Sequence, residues 1–154
     1  MANGQTNRKR YRMSEIVFRA STPPDGFRLV LCTSGSPPGD DTNTFAELIE
    51  IEAGNGYDSG GELLTPGETD FDVLVEDDGT DKAYVQIRDV EWIAAGGPIP
   101  VTGGSIRYAV LLDNNVTPAS REVWDWWDFG GEISVPEGSG VLLRNLQMDI
   151  RKPI

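Results

Sequence analysis

The sequence contains no histidine and a single cysteine, Cys32. Without histidine, the chain cannot form Ser-His-Asp or Cys-His nucleophilic systems, and it has no histidine to act as a general base or a metal ligand. One cysteine cannot form a disulfide within the chain, and a zinc site of cysteine and histidine is excluded by count. We therefore expect no enzymatic activity, no cofactor and no metal, and we interpret Cys32 as a small core residue.

Basic residues are scarce: the sequence contains 13 lysines and arginines but 25 aspartates and glutamates, which gives a net charge of −12. A globally acidic body is a poor binder of nucleic acid, because phosphate contacts need lysine and arginine. The chain has no apolar run of membrane-spanning length, and its polar, then basic, start does not resemble a targeting signal. We expect neither a membrane nor direct nucleic acid among its partners, and we expect synthesis in a cytoplasm.

The few basic residues are concentrated at the N-terminus, where residues 1–12 contain no acid. All 25 acids lie in residues 13–149. We predict a basic arm over residues 1–14, followed by one domain over residues 15–154. A solvated tail is the simpler alternative, but an arm that docks on an acidic neighbour, such as an identical subunit, is our preferred interpretation. The candidate partner-binding residues are Arg8, Lys9, Arg10 and Arg12.

Glycine and proline together account for 28 of 154 residues. That fraction, about 18%, exceeds the usual value of roughly 12% and favours many turns and short strands. We predict an all-β fold, an antiparallel two-sheet β-sandwich of jelly-roll type, with one short helix and the basic arm. The helix is predicted near residues 44–50, where Thr44 and Glu47 have the spacing of a capping box. The predicted strands are 15–20, 27–32, 71–75, 82–94, 106–112, 121–129, 133–135 and 141–150.

Three local features refine this prediction. The first two strands, separated by the turn-forming residues 21–26, are predicted to pair as a hairpin. Residues 77–81 are interpreted as a hairpin turn; they resemble part of a calcium loop but lack its ligand spacing. In the long predicted strand 82–94, the apolar residues of the alternating pattern move from one face to the other at Arg88 and Asp89. This change predicts a β-bulge there.

The densest aromatic segment surrounds three tryptophans in residues 121–129. Strict alternation would place Trp124 and Trp126 on one face and Trp127 on the other. Exposed indoles beside carboxylates such as Glu122 and Asp128 would suit carbohydrate binding, and paired carboxylates are also the groups of glycoside hydrolases. Tryptophan is more often found in cores and subunit interfaces. We therefore assign the three tryptophans to core or subunit packing.

Four further segments of the sequence form a set: Glu52–Tyr57 with Gly60-Gly61, Gln86–Gly97, Ile106–Asp113 and Trp126–Gly130. None of them is a catalytic signature, and the basic arm and the first predicted hairpin lie outside them. In their residues and in their order, these segments resemble those of a group of small virion proteins of tailed bacteriophages.

The resemblance implies a structural function rather than a catalytic one. The group is similar to capsid decoration (cement) proteins, which would make this chain a β-sandwich on the capsid exterior, bound to the major capsid protein. A homotrimer is likewise implied only by the resemblance. A neck, tail or fibre component of the virion and a carbohydrate-binding module remain the alternatives. On this interpretation the protein is made in the bacterial cytoplasm and functions in the virion.

Overall fold

The computed structural model describes residues 2–102 and 104–151. It contains one α-helix and ten strands that pair antiparallel, with 3₁₀ turns at Phe45–Glu47 and Pro118–Ser120. The elements, in chain order, are β1 (Ala2–Gln5), α1 (Asn7–Arg19), β2 (Phe27–Cys32), β3 (Glu62–Leu64), β4 (Val73–Asp77), β5 (Lys82–Ile87), β6 (Val90–Ile93), β7 (Ile106–Asp113), β8 (Val123–Ile133), β9 (Gly140–Leu143) and β10 (Leu146–Arg151).

The strands form three sheets. The large sheet has the order β1-β8-β7-β2-β3, the small sheet has the order β10-β5-β4, and β6 pairs with β9 in a two-stranded sheet. The main core lies between the large sheet and the two smaller ones, because apolar side chains of all three meet there. This arrangement confirms the predicted all-β fold of antiparallel sheets packed face to face.

The opposite face of the large sheet is also covered. A second apolar cluster contains Val30, Cys32, Val110 and Leu112 from β2 and β7, and Leu48 from the loop beyond β2 packs onto it. Cys32 is fully buried as a free thiol, which confirms its interpretation as a core residue. Strands buried on both faces explain why β2 and β7 are nearly continuous apolar runs in the sequence.

Several predicted elements are confirmed. The predicted strand 27–32 is β2, the strand 106–112 is β7, and β4 and β5 form the hairpin predicted around residues 77–81. Asp77 accepts hydrogen bonds from Gly79 N and from the Thr80 hydroxyl, so its carboxylate is used within the turn. The sequence pattern does not predict β1 or β3, which are only four and three residues long.

The predicted strand over residues 15–20, and with it the first hairpin, is wrong. These residues are the second half of α1, which begins after the N-cap Thr6 and ends at Ala20 in a left-handed conformation. The predicted boundary between the arm and the domain, after residue 14, therefore lies inside α1. Lys9, Met13 and Ile16 lie on its inner face with the i, i+4, i+7 spacing of a helix, and Met13 and Ile16 pack against the main core.

The predicted helix over residues 44–50 is reduced to a 3₁₀ turn at Phe45–Glu47. The capping interaction is present, because the Glu47 carboxylate accepts hydrogen bonds from the backbone N of Asn43 and Thr44. The segment does not continue as a helix, since Ile51 N donates to Leu31 O and draws the chain against β2. A sheet contact thus overrides the local helical signal.

The change of phase at Arg88 and Asp89 marks a break between strands rather than a β-bulge. β5 ends at Ile87 in the small sheet, and β6 begins at Val90 in the two-stranded sheet. The predicted strand 141–150 divides in the same way, into β9 and β10. The chain therefore crosses between the two smaller sheets at two neighbouring points.

Candidate functional site: the N-terminal helix

The predicted basic arm is ordered, and its contacts are with its own domain. β1 pairs antiparallel with β8, so that Gly4 lies opposite Trp126. Thr6 is fully buried; its backbone N donates to Trp124 O at 3.0 Å, and its side chain accepts from Lys9 N at 3.0 Å. The start of α1 is therefore fixed to β8 by backbone pairing and a buried N-cap.

Lys9 is buried and cannot reach a partner. Its Nζ donates to Oδ1 of Asp125 at 2.9 Å and lies 2.7 Å from Oδ2. The Lys9 side chain is 5% exposed and the Asp125 side chain 2%. Burial raises the pKa of Asp125, and the ammonium of Lys9 opposes that rise. Lys9, proposed from the sequence as a partner-binding residue, is thus part of an internal ion pair.

Arg8 and Arg12 are also paired with acids of the same chain. Arg8 Nε is 3.4 Å and Arg12 Nε 3.5 Å from the carboxylate of Glu122, at ion-pair distance. Arg12 Nη1 also donates to Glu15 Oε2 at 2.6 Å. Burial raises the pKa of Glu122, while the two guanidinium groups act in the opposite direction. These two arginines therefore anchor the helix as well as carrying charge.

Arg10 differs from the other three predicted residues. It is exposed, and its Nη1 donates only to Asn7 Oδ1, at 2.8 Å, with no salt bridge within residues 2–102 and 104–151. Arg19, in the last turn of the helix, is likewise exposed and forms no salt bridge in the described part of the chain. Of the basic side chains on α1, these two are available to an acidic partner.

The outward side of α1 is apolar to an unusual degree. Tyr11 is 56% exposed, Val17 69% and Phe18 81%. Tyr11 and Phe18 are two helical turns apart and share one face, with Val17 on its flank. We refer to Arg10, Tyr11, Val17, Phe18 and Arg19 together as the outer surface of α1. Large apolar side chains gathered on one exposed surface are characteristic of interaction sites.

The structure buries two of the three tryptophans of β8. Trp124 and Trp127 belong to the main core, with exposures of 7% and 2%, whereas Trp126 is half-buried against the second cluster and Gly4. The prediction that Trp124 and Trp126 share a face is wrong, because the pairing of β7 with β8 shifts at Trp124. Leu111 pairs with Asp125 but Leu112 pairs with Val123, so Trp124 is an extra residue.

An apolar cavity of about 260 Å³ lies beneath α1, between the helix and the small sheet. Met13 borders it from the helix and Trp124 from the large sheet. The side chains that close it from the other sides are Phe27, Phe71, Val85, Met148 and Ile150. The packing of α1 on the domain is therefore incomplete around Lys9 and Met13, although the N-terminus of the helix is firmly attached.

The carboxylates beside the tryptophans, which include Glu122 and Asp128 named from the sequence, are all engaged in ion pairs. Asp125 contacts Lys9, Glu122 contacts Arg8 and Arg12, and Asp128 accepts from Arg107 at 2.6 and 3.1 Å. In the described ranges, no three cysteine or carboxylate side chains converge as metal ligands. Nor do the described residues include a helix long and apolar enough to cross a membrane.

Comparison with known proteins gives no relative for this chain. No protein-family model, curated protein sequence or solved structure matches it.

Proposed function

We propose that this protein is a capsid decoration protein of a tailed bacteriophage, which binds the outside of the assembled capsid and stabilises it. The observation that carries the proposal is the outer surface of α1, where exposed apolar and basic side chains lie on a helix anchored to an acidic body. The four sequence segments resemble those of small virion proteins and occur in the same order along the chain, which supports the same function.

The proposed partner is an acidic and apolar patch on the major capsid protein. Arg10 and Arg19 would contact its carboxylates, while Tyr11, Val17 and Phe18 would bury their exposed area against it. If the binding patch forms only in the assembled lattice, the protein would bind assembled subunits better than free ones. Its binding would then stabilise the capsid by mass action. Several copies held in a homotrimer would add avidity.

The acidic remainder of the molecule suits an exterior position. With a net charge of −12, the bodies of neighbouring copies would repel one another, which limits association between particles. A neck, tail or fibre position would use the same helix surface, and the number of copies per particle separates it from decoration. Carbohydrate binding through the tryptophans loses its main support, because Trp124 and Trp127 are buried.

The proposal is tested by co-sedimentation with phage capsids stripped of the protein. The variant Arg10→Glu/Phe18→Ser changes two exposed residues of the helix without touching the ion pairs of Lys9 and Arg12. The control is Arg144→Glu/Leu142→Ser, which reverses one charge and replaces one exposed apolar side chain elsewhere on the domain, where Arg144 forms an exposed ion pair with Asp89 at 3.5 Å. We expect the first variant to lose capsid occupancy at least about tenfold, a change of 1.4 kcal/mol, and the control to bind normally.

Two outcomes would contradict the proposal. Occupancy by the helix variant equal to that of the unaltered protein would exclude the outer surface of α1 as the docking site. Failure of the unaltered protein to bind capsids at all would exclude decoration itself. Circular dichroism of each variant checks that the fold is retained.

A further inference from the structure

Two arginines away from α1 stand out because they are at least partly buried and lack an acidic partner. Arg121 is only 9% exposed and Arg28 is half-buried. Neither forms a salt bridge with any residue in the ranges 2–102 and 104–151. In contrast, Arg88 and Arg107 are both paired with carboxylates at 2.6 Å. A buried arginine without a carboxylate is unusual in a chain with almost twice as many acids as bases.

Both guanidinium groups are held in position by neutral groups. Arg28 Nε donates to Asn114 Oδ1 at 3.0 Å, and Arg121 Nε donates to the carbonyl oxygen of Asn115 at 3.0 Å. The loop that supplies these acceptors is itself fixed, since Asn114 N donates to Gly26 O at 3.1 Å. The Nε atoms are therefore used for orientation, which leaves the terminal nitrogens for a ligand.

One terminal nitrogen of each arginine lies close to Gly60. A Cβ placed on this glycine would lie 3.2 Å from Arg121 Nη1 and 3.5 Å from Arg28 Nη1, so the two nitrogens are less than about 7 Å apart. The backbone of Gly60 has φ +85°, a conformation that disfavours a side chain. Arg28 Nη1 makes only a long contact, 3.5 Å, to Gly60 O, and no described residue accepts a hydrogen bond from Arg121 Nη1.

The nearest carboxylates do not neutralise these charges by contact. Glu50 accepts hydrogen bonds from the Tyr57 hydroxyl at 2.8 Å and from Gly60 N at 2.7 Å. Asp113 accepts from Glu122 N at 2.8 Å. Burial and the neighbouring Arg28 lower the pKa of Arg121, while Glu50 and Asp113 act from a distance to raise it. Two like charges thus lie together with no carboxylate of residues 2–102 and 104–151 at salt-bridge distance from either.

We propose that Arg28 and Arg121 form a binding site for a single oxyanion, a phosphate or carboxylate group held between their guanidinium groups beside Gly60. Guanidinium nitrogens match the oxygen spacing of both anions and form strong charge-assisted hydrogen bonds with them. The burial of Arg121 reduces screening by solvent and salt. A polyanion such as nucleic acid is disfavoured by the acidic surface, whereas one small charged group approaches at lower cost.

The experiment is an NMR titration of the ¹⁵N-labelled protein with inorganic phosphate, with acetate, and with sodium chloride at equal ionic strength. We expect saturable shifts of the Nε–H signals of Arg28 and Arg121 and of the Gly60 amide with phosphate or acetate, and none with chloride. The anion that saturates at the lower concentration identifies whether the natural ligand is a phosphate or a carboxylate group.

Two variants with equal loss of charge complete the test. Arg28→Gln should weaken binding about 10- to 100-fold, the loss expected for hydrogen bonds to a charged group, whereas Arg144→Gln, on a different surface, should leave it unchanged. Either equal weakening in both variants or shifts that follow ionic strength alone would overturn the proposal. The titration of the unaltered protein decides the question even if a variant fails to fold, because the absence of any saturable shift excludes the site.

Discussion

The ammonium of Lys9 and the carboxylate of Asp125 meet at the junction of α1 and β8, with Nζ 2.7 Å from Oδ2, where water is almost completely excluded. Neither charge has another partner of opposite sign at salt-bridge distance among the described residues, so each depends on the other. The pair ties the N-terminal helix to the large sheet, so we expect its main effect to be on stability.

Substituting Lys9 by methionine should therefore destabilise the fold strongly. The variant leaves the Asp125 carboxylate buried without its counter-charge, which typically costs about 3–5 kcal/mol. The double variant Lys9→Met/Asp125→Leu should recover most of that loss, because a buried ion pair and a well-packed apolar pair are often of similar stability. Urea unfolding gives the free energies. If Lys9→Met alone unfolds at the same urea concentration as the unaltered protein, the pair does not hold the helix.

The close approach of Gly4 to Trp126 predicts a second sensitive position. A Cβ on Gly4 would overlap the Trp126 indole, so Gly4→Ala should displace β1 from the edge of β8 and cost about 1–3 kcal/mol. Gly131→Ala is the matched control, since a Cβ there meets no atom within 4 Å. Its effect should stay within about 0.5 kcal/mol, as for ordinary surface substitutions. Equal effects of the two substitutions on thermal unfolding would contradict this account of β1.

The sequence was sufficient to predict the fold class because turn residues and alternating apolar residues are local signals. It also predicted the β4–β5 hairpin and the burial of Cys32. It did not predict α1. One of the three inward-facing positions of this helix is Lys9, and a charged residue there interrupts the apolar spacing by which an amphipathic helix is recognised. The role of Lys9 depends on Asp125, a residue 116 positions away, so no local pattern reveals it.

The candidate site was predicted only in part for the same physical reason. Clustered charge identified the N-terminal segment, but charge alone does not distinguish Arg10, which is exposed, from Lys9, which is buried. The faces of the tryptophans were predicted incorrectly because the extra residue at Trp124 is visible only in the register of β7 and β8. Arg28 and Arg121 are 93 positions apart in the sequence and meet only through the folded sheet and the loop that precedes β8.

The burial of Cys32 predicts that its thiol is inert in the folded protein. The side chain is fully buried, and burial raises the thiol pKa, so little reactive thiolate is present at neutral pH. Iodoacetamide should label Cys32 only when the domain opens, and the labelling rate should rise with urea along the unfolding curve. Rapid labelling of the native protein at neutral pH, measured by mass spectrometry, would show that the second apolar cluster is not closed.

The last prediction concerns acid stability and the carboxylates of Asp70 and Asp128. Asp70 accepts from Thr65 N at 2.7 Å and from Arg88 Nε at 2.6 Å, and these bonds lower its pKa below the ordinary value of 3.8. Arg107 lowers the pKa of Asp128 in the same direction. The unfolded chain therefore binds these protons more readily than the folded one. Their stabilising effect is complete well above pH 3.8 and is lost as the pH falls through that value towards the lower folded pKa.

Urea unfolding at a series of pH values tests this with single variants. Asp70→Asn and Asp128→Asn should each be less stable than the unaltered protein at about pH 7, and the difference should shrink as the pH falls below the ordinary carboxyl range. Asp72→Asn is the control, because Asp72 is exposed and forms no salt bridge among the described residues. Its substitution should change the free energy of unfolding little at neutral or at acid pH. A stability difference for Asp70→Asn that stays constant from neutral pH to acid would mean that its ionised form is not what stabilises the fold.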